Sequence, residues 1–92
     1  MRMLPRFGEI YKNFEGHYFF IDSVANHFDS KEPLVICYMV EPRTERIANK
    51  DKFYFEHPHD PYRYAIPLDT FMSMVNTKKY PNCKQKNMFE LV

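Results

Sequence analysis

The sequence predicts a mostly β fold: a small SH3-like barrel of five or six short strands with one short helical turn, with an α+β roll as the alternative. Three observations carry this. The chain has 92 residues, the size of a single domain spanning residues 1–92. Its apolar residues fall in short runs separated by turn-forming segments, and seven prolines leave little room for long helices. Nine Phe and seven Tyr, with no Trp, supply a large apolar area per ordered residue, which a domain this small needs.

Residues 1–7 read as a short arm in which Pro5 stops any helix and Phe7 packs back on the core. Gly8–Tyr11 is the first strand, and Asn13–Gly16 is a turn in which Gly16 takes positive φ. His17–Ala25 carries the densest aromatic run and is the central strand. The two-residue period of a strand puts Phe19, Ile21, Ser23 and Ala25 on one face, and Tyr18, Phe20, Asp22 and Val24 on the other. Asn26–Pro33 is polar, with a turn at Asp29-Ser30. Leu34–Val40 is almost wholly apolar and pairs antiparallel with the central strand.

Glu41–Asp51 alternates in charge sign and contains Pro42, the pattern of a solvated loop or an exposed hairpin. Lys52–Glu56 is the fourth strand. His57-Pro58-His59-Asp60-Pro61 holds no regular element, since its two prolines remove donors and fix φ. Tyr62–Ile66 is the fifth strand, with Tyr62, Tyr64 and Ile66 sharing a face. Pro67 stands where a first helical residue would. Leu68, Phe71, Met72 and Val75 then form a one-sided apolar stripe over two turns. Thr77–Asn87 is polar, with a turn at Pro81-Asn82, and Met88–Val92 is a last short strand or a docking tail.

These residues also carry a resemblance. The pattern Tyr11-x-x-Phe14-x-Gly16-x-x-Phe19-x-Ile21-x-x-Val24-Ala25-x-His27, then Leu34-Val35, then Tyr64-Ala65-Ile66-Pro67-Leu68-x-x-Phe71, resembles the small bacterial and phage domain called domain-of-unknown-function family 1653. The likeness covers roughly residues 8–75, and the closing Met88-Phe89-Glu90-Leu91 is similar to the family's aromatic end. The chain departs from the family where Tyr64 and Ile66 stand in place of a usual tryptophan and arginine. Its connection from Tyr38 to Tyr64 is also longer. The resemblance implies a small β-rich domain and no particular reaction.

The function classes narrow by chemistry. The chain has 13 basic and 12 acidic residues, without the excess of positive charge common in nucleic-acid coat proteins. Lys78, Lys79, Lys84 and Lys86 make a basic end that reads as a solvated face. Cys37 reads as a buried small hydrophobe, while Cys83 sits among lysines, and two cysteines are no secreted disulfide framework. Neither an apolar leader core nor a run of membrane-spanning length is present, so the expectation is a cytoplasmic protein without a membrane span.

No Gly-x-Ser-x-Gly elbow and no phosphate-cradling glycine loop is present, nothing in the spacing pairs Glu9, Glu15, Asp22 or Asp69, and no motif calls for a cofactor. His57 and His59, two residues apart on an extended chain, can face one side as metal ligands, with Asp60, His17 or His27 completing a set for a metal-assisted enzyme. His27 is either a recognition group at the barrel mouth or a histidine that fixes the hairpin turn.

Tyr11, Tyr18, Tyr38, Tyr54, Tyr62 and Tyr64 exceed what one small core can bury, so some must lie at the surface. The leading expectation is a non-catalytic binding module whose tyrosine-rich face grips a protein or a second copy of itself. Its contact residues would come from Tyr18, His27, Tyr54, Tyr62 and Tyr64. The alternative is a nucleic-acid or nucleotide binder that stacks a base on these rings and clamps phosphate with Arg43, Arg46, Lys52 and Arg63.

Overall fold

A computed structural model describes residues 4–92, so Met1, Arg2 and Met3 of the expected arm lie outside the described residues. The fold is mostly β. Six strands run in order with one short helix: β1 (Ile10–Asn13), β2 (Tyr18–Asn26), β3 (Pro33–Ile47), β4 (Lys50–Glu56), β5 (Tyr64–Pro67), α1 (Leu68–Phe71) and β6 (Phe89–Leu91). All pairings are antiparallel. β3 lies between β2 and β4, and β1 lies between β2 and β6. β5 pairs residues 34–37 of β3, the same stretch that β2 pairs on its other side.

The sheet curls. Phe19 on β2 meets the ring of Phe89 on β6 at 5.6 Å and that of Tyr64 on β5 at 6.2 Å, so both outer strands bend over one face. Among the described residues β5 and β6 do not pair with each other. The gap is narrowed by the Met74–Asn87 bridge, with Val75 N–H donating to Lys86 O and Met88 N–H to Ser73 O, both at 2.9 Å. Tyr11, Phe19, Ile21, Val35, Cys37, Phe71 and Phe89 form the core under this curve. Phe71 closes it, stacked on Phe89 at 4.3 Å and edge-on to Tyr11 at 5.0 Å.

Several boundaries differ from the sequence-based expectation. The first strand runs Ile10–Asn13 rather than Gly8–Tyr11, because Asn13 N–H already bonds His17 O at 2.8 Å and extends the ladder into the turn. β2 carries a bulge between Ile21 and Ser23. The extra residue is Asp22, and past it the faces exchange: Val24, not Ser23 or Ala25, lies opposite the buried Val35. β3 is twice its expected length, continuing through Pro42 to Ile47, so the charged stretch is an exposed hairpin rather than a loop. Ala48 and Asn49 turn it with positive φ, 50° and 63°. That geometry suits the twist of a two-residue hairpin.

β5 starts at Tyr64, because Pro61 and the long 57–63 connection keep Tyr62 off the ladder. Pro67 ends β5 and precedes α1 instead of opening it. The helix is a single turn, so Val75 reaches the core from the chain beyond it. Phe7 packs on the outer side, edge-on to Phe20 at 5.7 Å, and stays largely exposed.

Both cysteines are free. Cys37 is fully buried, and burial pushes its thiol up from 9.0 to about 12. An unfolded chain therefore loses this proton first as pH rises past 9.0, and stability falls from there towards about 12. Between about pH 8 and pH 10 the wild type should lose about 1.4 kcal/mol more than Cys37→Ala in paired urea melts. Parallel pH profiles for the two proteins would show that the native thiol ionises normally.

Candidate functional site

The part of the molecule without a core beneath it is the β3–β4 ribbon. β2 begins at Tyr18 opposite Val40, and β3 runs on from Glu41 to Ile47 with only β4 beside it. At about 3.4 Å per residue this arm extends roughly 20 Å. It gives the described residues their elongated shape, 52 × 33 × 24 Å. Every residue from Glu41 to Glu56 is exposed except Phe55, which is half-buried.

Alternation sorts the arm into two faces. Pro42, Thr44 and Arg46 stand opposite Phe55, Phe53 and Asp51. On this face Phe53 meets Phe55 at 5.2 Å, and Phe55 meets Tyr18 of β2 at 5.1 Å. The other face holds Arg43 opposite Tyr54, Glu45 opposite Lys52, and Ile47 opposite Lys50. Arg43 Nε donates to Glu56 Oε2 at 2.9 Å, and this bond and charge raise the guanidinium above its ordinary value.

The aromatic stripe continues onto the outer side of the domain. Phe20 packs on Tyr38 at 5.2 Å and on His57 at 4.7 Å. Tyr38 Oη and His57 Nδ1 share a hydrogen bond of 2.7 Å. Arg63 lies over the Tyr38 ring at 5.7 Å, and its Nε donates to Asp22 Oδ2 at 3.0 Å. Burial pushes the Tyr38 phenol up from its ordinary value, and Asp22 adds to this against the opposing charge of Arg63. Asp22 is on the same outer face as Phe20, which puts its carboxylate within reach of Arg63.

On the opposite side, at the root of the arm, Met39, Glu41, Glu56, Pro58, Asp60, Pro61, Tyr62 and Tyr64 line an open cleft of about 330 Å³. It exists because β4 and β5 both pair with β3 but out of step. Seven residues, 57–63, span the three positions 38–40 of β3, so four extra residues bow outward.

The expected contact residues thus divide. Tyr18 and Arg46 lie on the apolar face of the arm or at its root. Arg43, Lys52 and Tyr54 lie on the polar face, and Tyr62 and Tyr64 line the cleft. Arg63 belongs to the outer network. His27 stands apart, at the β2–β3 turn. Its Nδ1 accepts from the backbone N–H of Asp29 at 3.2 Å and of Ser30 at 3.3 Å, which is the turn-fixing role. His57 is held by Tyr38, while His59 is exposed. Among the described residues no group of three or more His, Cys, Asp or Glu side chains gathers as a metal site, so His57 and His59 gain no third ligand.

Phe53 and Phe55 were not among the expected contact residues. The signal for them was local: in the strand Lys52-Phe53-Tyr54-Phe55-Glu56 the two phenylalanines, two residues apart, share a face.

No helix among the described residues is long and apolar enough to cross a membrane. No model of a known protein family, no curated protein and no solved structure matches the chain.

Proposed function

We propose that this protein is a non-catalytic binding module and that the β3–β4 arm, with the aromatic stripe at its root, is its contact surface for protein. The observation that carries this is the arm itself. A two-stranded ribbon in water is marginal alone. This one keeps two phenylalanines on one face while burying almost nothing, with Phe53 61% exposed. Exposed apolar rings grouped on an unsupported element are how proteins present a partner surface.

The charge of the arm favours protein over nucleic acid. Arg43, Arg46, Lys50 and Lys52 are matched by Glu41, Glu45, Asp51 and Glu56 within the same ribbon. Arg43 is held by Glu56, while Glu45 faces Lys52 and Asp51 faces Arg46 across the strands. A phosphate backbone needs cations in excess of local anions.

The test is to shorten the arm, joining Glu41 to Glu56 through an Asn-Gly turn. The shortened chain should unfold cooperatively with stability within about 1 kcal/mol of the parent, since the removed residues bury little. It should lose the proteins that the intact chain retains from lysate of its source. Equal retention by both chains would remove the arm from the binding surface. Salt-dependent retention of the intact chain on a DNA column would move the reading to nucleic acid.

A further inference from the structure

The outer edge of β4 is unpaired: β4 ends the strand order, and among the described residues only β3 lies beside it. Its seven residues, Lys50-Asp51-Lys52-Phe53-Tyr54-Phe55-Glu56, contain neither proline nor bulge. Such an edge is a template for another strand. The ribbon's other edge is less suited, since Pro42 interrupts its row of N–H donors.

The order of residues along β4 indicates which strand fits. Laid antiparallel against a second copy of itself and centred on Phe53, it sets Lys50 opposite Glu56 at both ends. Lys52 then faces the Tyr54 ring, and Phe53 faces Phe53. Centring on Lys52 would oppose two ammonium groups. Centring on Tyr54 would leave Lys50 and Asp51 facing residues beyond the end of the strand, starting at His57. Only the Phe53 register uses the whole strand and pairs its end charges.

We propose that two copies of this chain associate through their β4 edges about a two-fold axis at Phe53. This proposal rests on the reading of the arm as a contact surface, and it names the partner. The pairing is isologous, so every contact occurs twice. It joins the two ribbons into one sheet, β3-β4-β4-β3. Phe53 and Phe55 of each copy then fall on one common face, diagonal to each other across the new ladder. The exposed Phe53 ring thereby gains a neighbour that its own chain does not supply.

Sedimentation equilibrium and native mass spectrometry of the full chain test this, with Lys50→Glu, Glu56→Lys and Lys52→Glu variants. The wild type should show a concentration-dependent dimer. Lys50→Glu turns two opposite-charge pairs into like-charge pairs and should weaken the dimer on the order of tenfold. Glu56→Lys should weaken it similarly. Mixing these two variants restores both attractive pairs, so the heterodimer should form where neither homodimer does. Lys52→Glu should have a smaller effect.

A wild type that stays monomeric would overturn the proposal. So would a dimer indifferent to Lys50→Glu, or one broken by Lys52→Glu alone. None of these results touches the wider reading of the arm, which stands or falls on partner capture by the shortened chain.

Discussion

Phe71→Ala is expected to destabilise the domain by about 3–5 kcal/mol, a large share of the stability of a domain this size. Phe71 is fully buried and lies between Phe89 of β6 and Tyr11 of β1. It is the residue by which the single helical turn plugs the open side of the curled sheet. Removing the ring takes away its burial, its aromatic contacts with Phe89 and Tyr11, and the plug on the open side of the curled sheet. The neighbours are rigid rings, so little collapse into the cavity is available, and the cost should lie high in the range. A urea titration with unchanged slope and a lowered midpoint would record it. Phe53→Ala is the internal contrast, a ring of the same size on the exposed arm, and should fall within about 0.5 kcal/mol. If Phe71→Ala proved as mild as Phe53→Ala, the core would lie elsewhere.

Asn13→Ala should cost about 1–3 kcal/mol through a different mechanism. Asn13 is the one buried polar residue among those described, 7% exposed. Its Oδ1 accepts from the backbone N–H of Glu15 at 3.1 Å and of His17 at 2.8 Å. These bonds hold the turn that sends β1 into β2, where Gly16 sits at φ 92°. Alanine would leave two donors without their acceptor at the start of the central strand. Asn13→Asp keeps an acceptor in place and should retain most of the stability. An aspartate variant as weak as the alanine one would assign the effect to the amide nitrogen or to packing, not to the turn.

The site was legible in the sequence only in pieces. Tyr18, Tyr54, Tyr62 and Tyr64 could be counted as too many for the core, and all four do reach the surface to some degree. Their distribution over an arm face, a polar face and a cleft could not be counted. It depends on the register of β3 against β4 and β5, and the four-residue offset between those pairings has no local signature. Asp22 shows the same limit. Alternation alone gave it the outer face, but its partner there, Arg63, lies 41 residues away in sequence and no local signal names it.

The sequence by itself determined the β class, the β2–β3 hairpin, the burial of Cys37 and the common face of Phe19 and Ile21, and it left Met88–Val92 as a last short strand or a docking tail. These follow from short-range facts: apolar runs, their two-residue period, and prolines and glycines between them. The tertiary structure decided between the loop and the exposed hairpin that the charge pattern after Val40 allows, and made the segment half of a projecting ribbon. Its residues carry no apolar alternation of their own, and they become a strand because Lys50–Glu56 returns alongside and supplies the ladder. Strand pairing is a property of two segments together, and neither segment's own residues specify it. The surface on which the proposed function rests therefore emerges only when both are in place.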